Sequence, residues 1–110
     1  MKRILIVDDE MMVRNVLREF LRKNNYVVDQ VETGMQALSF IEQVPPDLIL
    51  MDINMPGING IETLTRIKET HPEICVIMLT GNDQNEIGQQ AVQAGATDYL
   101  TKPISLAQLQ

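Results

Sequence analysis

The stretch ILIVDD at residues 4–9 is the segment that decides the fold. Its four apolar residues follow one another without alternation, which is typical of a strand buried on both faces of a parallel sheet. The run ends abruptly at two adjacent acids, Asp8 and Asp9. The pattern returns twice, since LILM at residues 48–51 ends at Asp52 and ICVIML at residues 74–79 ends at Thr80. These segments predict three buried strands, each followed by a polar residue.

Two weaker strand candidates flank these three, and segments of helical period lie between the strands. The weaker candidates are YVV at residues 26–28 and YL at residues 99–100. In the first helix, apolar residues at i, i+3, i+4, i+7 and i+8 predict a buried stripe beneath a charged outer face. The stripe consists of Val13, Val16, Leu17, Phe20 and Leu21, and the outer face of Arg14, Arg18, Glu19 and Arg22.

The later helices are predicted mainly from the residues that begin or end them. Proline does not continue a helix, so the second helix is expected to end before the prolines at 45–46 and the third near Pro72. Asp83 is suited to cap a fourth helix, and Gly95 is suited to the position just past its end. Alternation of strands and helices in five units predicts an α/β fold, with an open, doubly wound parallel sheet and right-handed crossovers.

Composition restricts the class of protein. The 110 residues carry a net charge of −6, with 9 basic and 15 acidic side chains. One domain over residues 1–110 is expected at this length. Clustered basic residues are needed to bind phosphate backbones, so neither nucleic acid nor an anionic membrane is expected as a direct partner. The single cysteine, Cys75, is expected to be a buried thiol within its strand. It suits a reducing compartment, and we expect a cytoplasmic protein.

Acidic residues from two strand ends are expected to converge. If the strands are parallel, Asp8, Asp9 and Asp52 lie at one edge of the sheet, and their mutual repulsion calls for cations. One divalent ion together with Lys102 would balance them, and Mg²⁺ prefers such oxygen ligands. A carboxylate beside a divalent ion, a lysine and the Thr80 hydroxyl is the type of site that transfers a phosphoryl group to aspartate.

Four segments together resemble the response-regulator receiver domain of two-component signalling. They are VDDE at residues 7–10, MDINMPGING at 51–60, LT at 79–80 and YLTKP at 99–103. The resemblance covers essentially the whole chain and implies a flavodoxin-like fold with strand order 2-1-3-4-5. It also implies that the chain catalyses only its own Mg²⁺-dependent phosphorylation and dephosphorylation.

The resemblance assigns the phosphoryl and metal chemistry to particular residues. Asp52 would be the phosphoacceptor, with a sensor histidine kinase, a phosphotransfer protein or a small phosphodonor as the source. Mg²⁺, or Mn²⁺ in its place, would be held by Asp9, Asp52 and the backbone carbonyl of Asn54. Asp8 would act on the ion through water.

The remaining assignments concern phosphoryl contacts and the conformational response. Lys102 would pair with the phosphoryl group, and the backbone N–H of Gly81 would contact it. Thr80 would be the switch hydroxyl that moves toward the phosphate. Tyr99 would be the aromatic residue that swings inward when Thr80 moves, with a half-buried core aromatic as the alternative.

Other functions and local roles stay open at this point. A haloacid-dehalogenase-type phosphatase also uses an aspartate nucleophile and Mg²⁺, but it needs an acid two residues later, where this chain has Asn54. A phosphorylation-independent interaction module on the same fold would usually lack an acid or the lysine. Locally, Asp8 and Asp9 could instead form a solvated turn or supply the N-cap of a helix, since aspartate favours helix starts.

The fifth helix is expected to be truncated. Ser105 is suited to cap it, and Gln110 then allows only its first turns. Receivers complete this helix, which covers one face of the sheet and serves as a common dimer surface. Apolar area near Leu5, Val7 and Leu100 is therefore expected to be under-covered, with lower stability or self-association into a homodimer as the consequence.

Overall fold

Five parallel strands form one sheet, and a helix connects each strand to the next. The computed structural model describes residues 2–53, 59–80 and 85–101, and for residues 85–88 and 101 only the backbone. None of the helices in these ranges has the length and the apolar composition of a membrane-spanning segment. The elements are β1 (Arg3–Val7), α1 (Met11–Lys23), β2 (Val27–Val31), α2 (Gly34–Gln43), β3 (Leu48–Asp52), α3 (Gly60–Thr70), β4 (Cys75–Thr80), α4 (Asn85–Gln93) and β5 (Asp98–Thr101).

The strand order is β2-β1-β3-β4-β5, which confirms the predicted 2-1-3-4-5 arrangement. All four neighbouring pairs are parallel. The chain leaves β1 toward β2 on one side and later returns to place β3 on the other side. The connections therefore diverge between β1 and β3, and ligands bind at such a point in doubly wound sheets.

Side chains on β1 alternate between two cores, one on each face of the sheet. Ile4 and Ile6 pack with residues of α1, whereas Leu5 and Val7 pack with residues of α2, α3 and α4. The expectation that Leu5 and Val7 are under-covered is therefore wrong, since both are fully buried on the face opposite α1. Leu100 is half-buried against the α1 side. The predicted fifth helix, residues 105–110, lies outside the described residues.

The buried face of α1 differs from the predicted stripe by a rotation of the helix. Leu17 and Leu21 are buried as expected, but Arg14 is also buried and Val16 is 54% exposed. The third buried position is thus a charged residue at i−3 from Leu17. Apolar spacing alone did not indicate this, because a guanidinium group is buried only where partners receive its hydrogen bonds.

Cys75 is exposed, so the prediction of a buried thiol is wrong. It is the first residue of β4 and pairs with Leu48, itself only half-buried, at the amino end of β3. Both lie at the edge of the sheet opposite the carboxyl ends. A continuous apolar run in the sequence does not show where the covering layer ends.

Helix boundaries follow the local signals of the sequence. Both α2 and α3 end before the prolines that were expected to stop them. Thr33 and Asn59 cap the starts of these two helices, since the side chain of each accepts a hydrogen bond from a backbone N–H three residues later. Gly95 follows α4 with φ of +118°, in the left-handed region that favours glycine, as predicted. Asp83, the predicted cap of α4, lies outside the described residues.

Gly60 marks a close approach between the start of α3 and the end of β3. A Cβ atom at this position would lie 2.5 Å from the carbonyl oxygen of Asp52 and 2.7 Å from the Cα of Ile53. The Gly60 N–H also donates to the Ile53 carbonyl at 2.8 Å. Since the opposing atoms belong to the backbone, they have no rotamer that would make room.

The close approach predicts that Gly60→Ala destabilises the protein. We expect the free energy of unfolding to fall by about 2–3 kcal/mol, because the new methyl group must displace the backbone of β3. Chemical denaturation monitored by circular dichroism measures this. Ser39→Ala, at an exposed position within α2, is the control and should change stability by less than about 0.5 kcal/mol. Equal stability of Gly60→Ala and the wild type would contradict the prediction.

Candidate functional site

Two buried acids lie side by side at the carboxyl edge of the sheet. Val7 pairs with Met51 across the ladder between β1 and β3. The next residue on each strand is an aspartate, so Asp8 and Asp52 occupy neighbouring positions at the same level. Asp8 is 0% exposed and Asp52 is 5% exposed. The convergence predicted from the sequence is therefore present in the structure.

Two further acids extend this pair into a cluster. One carboxylate oxygen from each of Asp8, Asp9, Glu10 and Asp52 lies within 4.8 Å of the others. Asp9 and Glu10 are exposed, so the cluster opens to solvent on their side. No role for Glu10 was predicted, although it is the third acid of the VDDE segment. Its position directly before α1, next to Asp9, is the signal that could have included Glu10 among the predicted site residues.

The first two acids are not used to cap α1. Glu10 is the N-cap residue of that helix, and its side chain makes no capping hydrogen bond. The Oδ1 atom of Asp8 instead accepts a hydrogen bond from the Glu10 N–H at 2.9 Å. The helix-cap interpretation of Asp8 and Asp9 is therefore wrong. The acids face one another, an arrangement of like charges that is unfavourable without a cation.

A buried arginine, predicted to lie on the charged outer face of the first helix, lies beneath the acidic segment. The Nη1–H group of Arg14 donates to the backbone carbonyl of Asp8 at 2.8 Å, in a buried hydrogen bond. Its Nη2 atom lies 3.6 Å from Oε1 of Glu32, which follows β2. Arg14 therefore connects the end of β1 to the segment after β2.

Thr80 and Tyr99, the predicted switch residues, lie on the two strands beyond β3. Asp52 pairs with Leu79, so Thr80 is one residue past Asp52 along the carboxyl edge. Thr80 is fully buried, and its hydroxyl donates to the carbonyl of Leu100 at 3.4 Å. Tyr99 is half-buried and packs against the core on the α2–α4 side. Their roles as switch residues stay predictions.

Three of the predicted site residues lie outside the described residues. They are Lys102, expected to pair with the phosphoryl group, Asn54, expected to offer its backbone carbonyl, and Gly81, expected to offer its N–H. The described part of the site therefore consists of the acidic cluster, Arg14 beneath it and Thr80 beside it.

The donor set of the cluster suits a hard divalent cation. All four side chains of the cluster offer carboxylate oxygens, which Mg²⁺ and Mn²⁺ prefer, and none offers sulfur or imidazole nitrogen. Two acids are buried and two are exposed, so an ion here would retain water on its open side, as Mg²⁺ usually does. The residues present therefore fit the cation expected at this edge.

Comparison with known proteins agrees with this geometry. The family described as response regulator receiver domain matches residues 4–110. The chemotaxis protein CheY of Halobacterium salinarum is 42% identical over 93% of this chain and 85% of its own length. A protein-glutamate methylesterase/protein-glutamine glutaminase of Trichodesmium erythraeum is 42% identical over 94% of this chain. This chain spans only 31% of that longer relative.

A solved structure leads to the same family. The receiver domain of NtrX from Brucella abortus superimposes with a TM-score of 0.92 at 31% identity, over 96% of this chain and 90% of that chain. The likeness includes the sheet whose carboxyl edge carries the acidic cluster. With the family match over nearly its whole length, the chain belongs to the response regulator receiver domains, the signalling modules of two-component systems.

Proposed function

We propose that this chain is a phosphoacceptor receiver that accepts a phosphoryl group on Asp52 from a histidine kinase or phosphotransfer protein. The observation that carries the proposal is the buried Asp52 within a group of four acids at the carboxyl edge of β1 and β3. The modified protein then changes conformation and controls a partner or output domain. Membership of the receiver family supports this signalling role.

Asp52 is the nucleophile in this proposal. One of its carboxylate oxygens bonds to phosphorus, while the bond between phosphorus and the imidazole nitrogen of a phosphohistidine breaks. The electron pair of that bond stays on the imidazole, and Asp52 becomes an acyl phosphate. Its location at the end of a central strand supports this, because the neighbouring strands hold the carboxylate in place while solvent reaches the cluster past Asp9 and Glu10.

The residues proposed to hold Mg²⁺ are Asp9, Asp52 and the backbone carbonyl of Asn54, with Asp8 acting through water. When bound, the ion supplies positive charge that offsets the acids and the oxygens of the incoming phosphoryl group. Mn²⁺ takes the same oxygen ligands and would substitute for it. Glu10 supplies a fourth carboxylate within the cluster.

The other proposed roles surround the phosphoryl group. Lys102 pairs with its oxygens, and the N–H of Gly81 and the hydroxyl of Thr80 donate to them. The Thr80 hydroxyl must then exchange its bond to the Leu100 carbonyl for one to the phosphoryl group. That exchange releases a contact between β4 and β5, the strand that carries Tyr99. It gives a physical basis for a switch involving Thr80 and Tyr99.

Exposed apolar side chains beside the cluster support a protein as phosphoryl donor. Met11 and Met12 directly follow the acidic segment and are 64% and 79% exposed, and Val16 lies one turn further along α1. A donor that brings a phosphohistidine to Asp52 must cover this part of the surface. The proposed setting is the cytoplasm, and the acidic chain is not proposed to bind nucleic acid or membranes directly.

Phosphorylation of Asp52 is tested by mass spectrometry. Incubation with acetyl phosphate and Mg²⁺ should add the mass of one phosphoryl group to the intact wild-type chain. Asp52→Asn should abolish the adduct, because the amide cannot act as the nucleophile. Asp47→Asn is the matched control, since Asp47 lies just before the amino end of the same strand, and this variant should be modified like the wild type.

An adduct that persists in Asp52→Asn would show that another residue is the acceptor. Absence of any Mg²⁺-dependent adduct in the wild type would instead favour the phosphorylation-independent interaction module as the function of this fold.

Divalent-ion binding is tested by isothermal titration calorimetry with Mg²⁺. Asp9→Asn should raise the dissociation constant by about tenfold or more, because it removes a charged ligand from the cluster. Glu69→Gln removes an exposed acid on α3 and should leave the constant unchanged within about twofold. Equal Mg²⁺ affinity of Asp9→Asn and the wild type would exclude Asp9 as a ligand.

A further inference from the structure

Arg14 is buried although it belongs to a helix with exposed apolar residues. Its side chain is 11% exposed, whereas Val16 on the same helix is 54% exposed. Burying an arginine and exposing a valine is unfavourable by solvation alone. A compensating interaction must therefore stabilise this orientation of α1, and the hydrogen bond from Arg14 to the Asp8 carbonyl supplies one.

We propose that Arg14 is a positioning residue that holds the backbone of Asp8–Glu10 in the conformation that receives the divalent ion. This inference rests on the proposed function, because it concerns the same acidic site. Arg14 does not act on the phosphoryl group in this proposal. It acts through the peptide backbone of Asp8, and through that backbone on the carboxylates of the cluster.

Three hydrogen bonds made by Asp8 restrain the acidic segment. The Asp8 N–H donates to the carbonyl of Val31 at 3.3 Å, the last contact with the neighbouring strand β2. Its carbonyl accepts from Arg14 at 2.8 Å. Its Oδ1 atom accepts from the Glu10 N–H at 2.9 Å. The hydrogen bond from Arg14 thus restrains the backbone at the point where the hydrogen bonds of the sheet end, just before α1 begins.

The far side of the guanidinium is held by the segment after β2. Glu32 lies 3.6 Å from Nη2 of Arg14, and its own N–H donates to Oε1 of Gln36 at 2.8 Å. Gln36 in turn donates its backbone N–H to the side chain of Thr33, the N-cap of α2. Glu32 is 63% exposed at its side chain, so this pair orients the guanidinium without contributing much stability.

Positioning and simple electrostatics predict opposite effects of removing Arg14. A positive charge near a cation site repels the cation, so on charge alone Arg14→Met should tighten Mg²⁺ binding. On the positioning proposal, the Asp8 carbonyl loses its donor, the acidic segment moves, and binding weakens. Residues that orient metal ligands typically contribute about 10–100-fold to metal affinity, so we expect about a tenfold weaker constant.

The test combines Mg²⁺ titration with amide hydrogen exchange of the metal-free protein. In Arg14→Met, the Mg²⁺ dissociation constant should rise about tenfold, and the Glu10 amide should exchange about tenfold faster relative to the Leu50 amide in the core. The Leu50 amide reports any loss of global stability, so faster exchange of Glu10 relative to Leu50 reports a local change in the acidic segment. Arg14→Lys keeps the charge and one donor, and should give intermediate values.

Arg18→Met is the matched control. Arg18 lies one turn further along α1 and carries the same charge, and its side chain makes no hydrogen bond or ion pair with the described part of the chain. Both of its readouts should stay within about twofold of the wild type. Unchanged or tighter Mg²⁺ binding by Arg14→Met, or an unchanged exchange ratio, would overturn the proposal.

Failure of the proposed function would look different. If the wild-type protein itself binds no Mg²⁺ and accepts no phosphoryl group, the receiver chemistry is absent. The exchange ratio of the metal-free Arg14→Met variant still decides whether Arg14 holds the acidic segment, because that measurement involves no ion.

Discussion

The parallel register between β1 and β3 is the constraint on which the site depends. Val7 faces Met51, and this pairing puts Asp8 beside Asp52. A slip of one residue would turn every side chain of a strand to the other face, which would exchange the contents of the two cores. Register is therefore fixed by apolar packing, since Ile6 lies in one core and Val7 in the other. The distance between the two buried acids follows from that packing.

Repulsion among the clustered carboxylates disfavours the folded state that brings them together. Asp8 and Asp52 are buried, and together with Asp9 and Glu10 they form a concentration of negative charge. A cation that binds the folded chain and not the unfolded one adds to stability by mass action. Occupancy of the site and stability of the domain are thus linked, and in the absence of an ion the acids must be held in place by other groups.

Three of the strands and the converging acids were predicted from the sequence, because continuous apolar runs carry a strong signal and end at the site. The strand order was predicted from the resemblance to receiver domains. The predicted α1 face was wrong at Arg14 and Val16, and Cys75 was wrongly predicted to be buried. Apolar periodicity treats every charged residue as exposed, so it misses a guanidinium whose donors reach a backbone carbonyl. Nor does apolar periodicity show how exposed the end of a strand is, because that exposure depends on where the covering helices lie.

The residues that hold the site lack the chemistry by which functional residues are recognised. On the β3 side, Gly60 approaches the Asp52 carbonyl so closely that only a glycine fits, and its N–H bonds to Ile53. On the β1 side, Arg14 donates a hydrogen bond to the Asp8 carbonyl. The backbones of Asp8 and Asp52 are therefore each restrained by a residue that does not belong to β1 or β3. Because repulsion among the carboxylates would otherwise spread those segments apart, the geometry of this site depends on a helix start and a buried guanidinium as much as on the acids themselves.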